Sequence, residues 1–131
     1  MHILTIKESA EFQNISKKGQ KFFSETLILL SLPTPQIYLR PDSKNFCRIG
    51  YTVAKTVSKL AVKRNLAKRR LREIIRNLAP IHAKNNFDYV VIARKEILIA
   101  DFAKISNDLK FCITRIHRPK TSPNNAKKIQ S

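Results

Sequence analysis

Between Lys63 and Arg76 the sequence reads KRNLAKRRLREIIR: seven cations and one acid, Glu73, in fourteen residues. The chemistry open to such a stretch is the binding of a polyanion. A guanidinium is a planar fork that meets phosphate oxygens two at a time. Asn65 adds a neutral donor and acceptor able to reach a base edge or a 2′-hydroxyl. At about 100° per residue, Asn65, Arg69, Arg72 and Arg76 fall in one stripe about 60° wide, with Arg64 and Lys68 on its seam. Arg64/Lys68, Lys68/Arg72 and Arg72/Arg76 are like-charged neighbours four residues apart, and each such pair costs a helix a few tenths of a kcal/mol. Glu73 offers relief to Arg69 and Arg76. A merely solvated helix face usually interleaves both signs. This stripe makes sense where phosphates supply the missing negative charge.

No residue set for bond chemistry accompanies it. His2, His82 and His117 are scattered without ligand spacing. No Ser/His/Asp or Cys/His arrangement stands out, and neither does a carboxylate pair; Asp88 reads as structural. Phe12 offers a ring for stacking on a base, with a core position in an amphipathic helix as the competing reading. Arg48 and Lys55 read as phosphate contacts or as surface charge. Over the whole chain, 26 Lys and Arg oppose nine Asp and Glu in 131 residues, a net charge of +17 and a pI near 10.4. Self-repulsion of that size works against a compact state unless a polyanion relieves it. Nucleic acid is the first candidate partner and an anionic membrane surface the second. A hydrophobic content of 43% argues for a packed core rather than disorder. No apolar run approaches 18 residues, so no membrane span is expected, and the acidic N-terminal stretch lacks a signal-peptide layout. Cys47 and Cys112 are expected as small, reduced core residues of a cytosolic protein, with a disulfide between them left open.

The elements that must hold these residues follow from periodicity and punctuation. Thr5-Ile6-Lys7-Glu8 fits a capping box, predicting a helix from about Ile6 to Lys18 that stops at Gly19 as a left-handed cap. FFSETLILLSL, Phe22 to Leu32, predicts a strand, and the stretch from Pro33 to Asn45 a loop with a short strand possible at Ile37-Tyr38-Leu39. FCRIGYTVAK alternates: Cys47, Ile49, Tyr51 and Val53 point one way, Phe46, Arg48 and Thr52 the other, as in a half-buried strand. Ser58 is the candidate cap of a long helix ending near Pro80, whose packing face is Leu60, Ala67, Leu71, Ile74, Ile75 and Leu78. FDYVVIA predicts another strand. Asp101 caps a last helix with Phe102, Ile105, Leu109, Cys112, Ile113 and Ile116 on one stripe. The expected layout is one domain over 1–116, an α/β (α+β) sandwich with helices against a small mixed sheet. A flexible basic tail is expected over 117–131, carrying Arg118, Lys120, Lys127 and Lys128.

The stretch from Gly50 to Arg76 resembles the signature of the bacterial ribonuclease P protein family. Gly50-Tyr51-Thr52-Val53-Ala54-Lys55 matches that family's strand end, and Arg64, Asn65, Lys68, Arg69 and Arg72 match its arginine-rich helix. Glu11-Phe12-Gln13 with Gly19 is similar to its first helix, and Asp88 to Arg94 to its D-Y-V-V-I-A-R strand. The resemblance spans about residues 4 to 116. It implies the order αβββαβα with a left-handed βαβ crossover, where strand physics alone predicts a right-handed one. It also implies a cytoplasmic tRNA-processing ribonucleoprotein whose catalytic RNA holds Mg²⁺ and cuts the phosphodiester bond. The protein, inactive alone, would contact that RNA through Arg64, Asn65, Lys68, Arg69, Arg72 and Arg76. It would hold the 5′ leader of precursor tRNA in a cleft at Phe12, Ser16, Arg48 and Lys55. No membrane and no small-molecule substrate are implied. Leu66 stands where the motif usually has its second arginine; Arg70 projects about 40° further round the helix. Ser16 stands where a second cleft aromatic is usual, and the usual basic stretch before the first helix is nearly missing. The alternatives are a structural RNA-binding protein of ribosomal type and a protein-only nuclease, the latter opposed by the absence of a clustered acidic metal site.

Overall fold

A computed structural model describes residues 1–39 and 45–117. In chain order the elements are β1 (His2–Thr5), α1 (Ser9–Lys18), β2 (Gln20–Phe23), β3 (Leu27–Pro33), β4 (Phe46–Thr52), α2 (Ala61–His82), β5 (Phe87–Ala93) and α3 (Phe102–Ile116). Short 3₁₀ turns lie at Gln36–Tyr38 and Lys95–Leu98. The strands form one mixed sheet in the order β1-β4-β5-β3-β2. β4 runs parallel to β1 and β5, while β3 is antiparallel to β5 and β2. The expected α/β class and element order hold, with one strand added in front.

That added strand replaces the expected capping box. His2 N–H donates to Asn45 O and Ile6 N–H to Ile49 O, each at 2.9 Å, so Thr5 ends a parallel strand and α1 begins only at Ser9, with Glu8 before it and no side-chain cap. Gly19 is not left-handed; its φ is −77° and its ψ 160°. Glycine is needed there for room, because a Cβ would stand 2.6 Å from Ile15 O and 2.7 Å from Ser31 O. The single strand expected from Phe22 to Leu32 is a hairpin, β2 and β3, turning at residues 24–26, where Ser24 Oγ donates to Leu27 O at 2.7 Å. The region around Ile37 is a 3₁₀ turn rather than a strand.

α2 starts two residues later than the Ser58 cap predicts, at Ala61 with Leu60 as its N-cap. Ser58 Oγ accepts the Leu60 N–H at 3.2 Å, and Leu60, expected on the packing face, is exposed. The helix also continues through Pro80 to His82. So near the end of the helix, proline removes one donor, the N–H that would have met the Arg76 carbonyl, and few helical bonds lie beyond it. α3 matches its expectation: Asp101 Oδ1 accepts the Lys104 N–H at 2.8 Å, and its stripe is buried except for Phe102.

The two sheet faces are covered unequally. On one, Leu27, Leu29, Cys47, Ile49, Tyr89 and Val91 pack against Ala67, Leu71, Ile74 and Ile75 of α2 and Ile105, Leu109, Cys112, Ile113 and Ile116 of α3. Both cysteines are free thiols in this core, and burial pushes Cys47 up to about 11. On the other face α1 covers a smaller cluster of Ile6, Ile15, Leu30 and Val90. β4 is therefore buried on both sides from Phe46 to Gly50 rather than half-buried.

Candidate nucleic-acid interface

α2 is held by its buried apolar face, so the opposite arc must meet solvent. Asn65, Arg69, Arg72 and Arg76 are exposed, and Arg64 and Lys68 are half-buried along the seam. The structure thus brings all six predicted residues of the stripe onto one helix. Two of these arginines, one on the seam and one in the stripe, lean on the protein. Arg64 Nη1 donates to Ser58 O at 2.9 Å, and the Arg72 guanidinium lies 5.8 Å from the centroid of the Tyr51 ring on β4. Glu73 pairs with Arg76 at 2.9 Å. Among the described residues no other cation of α2 has an ion-pair partner, so six of the seven, from Lys63 to Arg72, carry uncompensated charge. Leu66, in the place of a usual arginine, is partly exposed and lines a small depression with Lys63, Arg70 and Leu98.

The second group is brought together only in part. Phe12 is half-buried on α1, and its ring lies directly over Gly50 of β4. A Cβ at Gly50 would stand 2.4 Å from Phe12 Cε1 and 2.6 Å from Cζ. Ser16, one turn further along α1, is exposed. Beside Phe12 the sheet carries Ile28, Leu32 and Ile92, all only partly covered. Cross-strand register puts Phe23 and Lys21 of β2 on this same face, since Phe23 pairs with Ile28 and Ile28 with Ile92. Phe23 is 60% exposed. Sequence reasoning missed it because β2 was merged into β3. Splitting the run at the Ser24-Glu25-Thr26 turn signal would have found it.

Arg48 and Lys55 are placed otherwise than expected. Arg48 does lie off the main core face of β4, but that side is not open to solvent. Its guanidinium ion-pairs with Glu11 of α1 and, through Nε at 3.1 Å, with Asp88 Oδ1 of β5. The Tyr38 ring covers it at 4.2 Å, and only 8% of the residue is exposed. Thr34 Oγ1 donates to Asp88 Oδ1 at 2.8 Å. Burial pushes the Asp88 carboxyl up, against the pull of Thr34 and Arg48. Arg48 is thus committed to tying α1, β4 and β5 together rather than offered to a phosphate. Lys55 lies beyond β4 in the turn toward α2 and lines a depression of about 580 Å³ with Lys59 and Lys95.

His117, expected in the tail, is packed. Its ring meets Phe87 edge-on at 4.9 Å and its Nε2 bonds the Tyr89 hydroxyl. The other residues of the expected tail lie outside the described residues. Among the described residues no group of three or more His, Cys, Asp or Glu could hold a metal ion, and no helix is long and apolar enough to cross a membrane.

Comparison with known proteins bears on the family and the fold. The family model for ribonuclease P matches residues 3–117. A ribonuclease P protein component from Paramagnetospirillum magneticum is 37% identical over 111 residues, covering 85% of this chain and 80% of its relative. One from Rickettsia bellii is 33% identical over 121 residues, covering 92% and 99%. Among solved structures, the RNase P protein of Thermotoga maritima superposes with a TM-score of 0.71 at 26% identity, covering 87% of this chain and 98% of that one. The RNase P protein of Staphylococcus aureus superposes with a TM-score of 0.70 at 26% identity, covering 86% and 94%.

Proposed function

The chain belongs to the ribonuclease P protein family, and on that premise we propose that it holds two RNAs at once for cleavage of precursor tRNA in the cytoplasm. The α2 stripe of Arg64, Asn65, Lys68, Arg69, Arg72 and Arg76 grips the phosphates of the catalytic RNA. The partly covered sheet face beside Phe12 and Ser16 takes the single-stranded 5′ leader, with Phe23 as a second ring on the same face. Arg48 serves this cleft by fixing α1 over the sheet, and Lys55 adds positive charge beyond the end of β4. Hydrolysis falls to the catalytic RNA and the Mg²⁺ it holds. The protein's part is to bind and position.

The observation that carries this reading is the uncompensated charge of α2. Six neighbouring cations without acidic partners are a cost to the free protein and a gain once phosphates arrive. Each phosphate neutralised releases condensed counterions and adds about one unit to the salt slope of binding. The leader, unpaired, offers base faces for Phe12 and Phe23, and stacking needs no particular sequence.

Reconstitution tests the proposal. The purified chain with its cognate RNA and Mg²⁺ should cut precursor tRNA at the mature 5′ end, and the chain alone should not. Cleavage by the protein alone that survives nuclease treatment would overturn the division of labour. A ribosomal-type role predicts instead that the chain co-purifies with ribosomal RNA and has no effect on precursor tRNA.

A further inference from the structure

A cavity of about 380 Å³ opens at one end of the sheet. We propose that it binds one nucleotide of single-stranded RNA, with the phosphate at Lys18 and Lys84 and the base against the rings of Phe87 and His117. The cavity lies where β3 ends and β5 begins, under the last turn of α3. Gln20 and Ser31 face each other across the β2–β3 ladder, and with Phe87 they project to the α3 side of the sheet. Phe12 and Gly50 are on the opposite side. Lys18 at the end of α1 and Leu32 of the α1-side cluster complete the wall, so the cavity sits at the end of the sheet where its two faces meet.

The lining has the composition of a nucleotide site. Leu32, Pro33 and Ile116 give apolar walls, and among the described residues no carboxylate lines the cavity. A volume of this size suits one small ligand, near the lower end of known ligand pockets. Gln20 and Ser31 add neutral hydrogen-bonding groups to the wall, able to meet a base edge or a ribose hydroxyl.

The rings are held in place. His117 meets Phe87 and Tyr89 edge-on at 4.9 and 5.6 Å. The Tyr89 oxygen accepts the Lys84 N–H at 2.9 Å and is also hydrogen-bonded to His117 Nε2, which fixes the imidazole in place. Burial and the neighbouring Lys84 pull the imidazole down to about 4, so it stays uncharged at neutral pH and stacks as an aromatic.

The test is an NMR titration of the full chain with adenosine 5′-monophosphate, with inorganic phosphate and with hexauridylate. The nucleotide and the oligomer should shift Ser31, Lys84, Phe87 and the His117 imidazole, and the oligomer should bind at least as tightly. His117→Ala should weaken both by roughly five- to 150-fold, the range for loss of one stacked base. Lys84→Glu, at an exposed site that leaves the fold intact, should abolish the shifts. Arg69→Ala should leave them unchanged, which separates this site from the role proposed for α2. The inference is overturned if inorganic phosphate reproduces the nucleotide's shifts and affinity, if the oligomer leaves these four residues unmoved, or if Lys84→Glu binds as the parent does.

Discussion

Gly50→Ala perturbs Phe12, a proposed leader contact, from beneath its ring and leaves the α2 stripe untouched. The new methyl would stand 2.4 and 2.6 Å from two ring carbons, against about 3.5–4.0 Å for an ordinary carbon contact. The ring must therefore move by about 1 Å or more. It is the far end of a half-buried side chain, so it swings outward rather than forcing β4 apart. Overpacking of this kind costs about 1–3 kcal/mol of stability. If Phe12 stacks on the leader, the displaced ring also loses about 1–3 kcal/mol of binding to precursor tRNA. Mature tRNA, which lacks the leader, should bind as before. The decisive comparison is the double variant. With Phe12→Ala the methyl has room, so Gly50→Ala should add almost nothing to either loss, giving a coupling of about 1–3 kcal/mol in both melts and leader affinity. Additive losses would show that the contact does not organise the cleft. A large fall in melting temperature with both tRNAs affected alike would show that Phe12 is a core residue and not a leader contact.

Arg69→Ala and Arg72→Ala should each lower the salt slope of catalytic-RNA binding by about one unit in filter-binding assays, with circular dichroism unchanged because like-charge strain falls. Arg48→Met should cost about 3–5 kcal/mol in urea unfolding, since it leaves Glu11 and Asp88 buried without their cation; adding Asp88→Leu should recover part of that loss. Asp108 is buried and accepts both Thr26 N–H at 3.1 Å and Thr26 Oγ1 at 2.7 Å. Burial works to raise its carboxyl, but Thr26 and Lys104 outweigh it and hold the group below its ordinary value. Its contribution is therefore complete above the unfolded pKa of about 4 and is lost as pH falls through the folded value. Asp108→Asn should cost about 1.5–3 kcal/mol at pH 7 and flatten the acid limb of the stability profile below about pH 4.

The α2 stripe was fully legible in the sequence, because helical period and like charge are local properties and only one face of such a helix can be buried. The same holds for α3, whose cap at Asp101 and apolar stripe are set within a few residues. β1 was not legible. HILT carries no strand signal of its own and competes with a capping box, and only the bonds from His2 and Ile6 to the chain around β4, more than forty residues away, decide for the strand. Arg48 shows the same division within one residue. Alternation along β4 told correctly which side of the sheet it leaves from. That this side is roofed by α1 and the turn at Gln36–Tyr38, with Glu11 and Asp88 waiting for its charge, depends on strand register and helix placement. Phe12, Gly50 and Phe23 became one surface for the same reason. Local sequence fixes what a segment can be and which way its side chains alternate, whereas the neighbour across a ladder or under a helix is a long-range pairing that no window of adjacent residues contains.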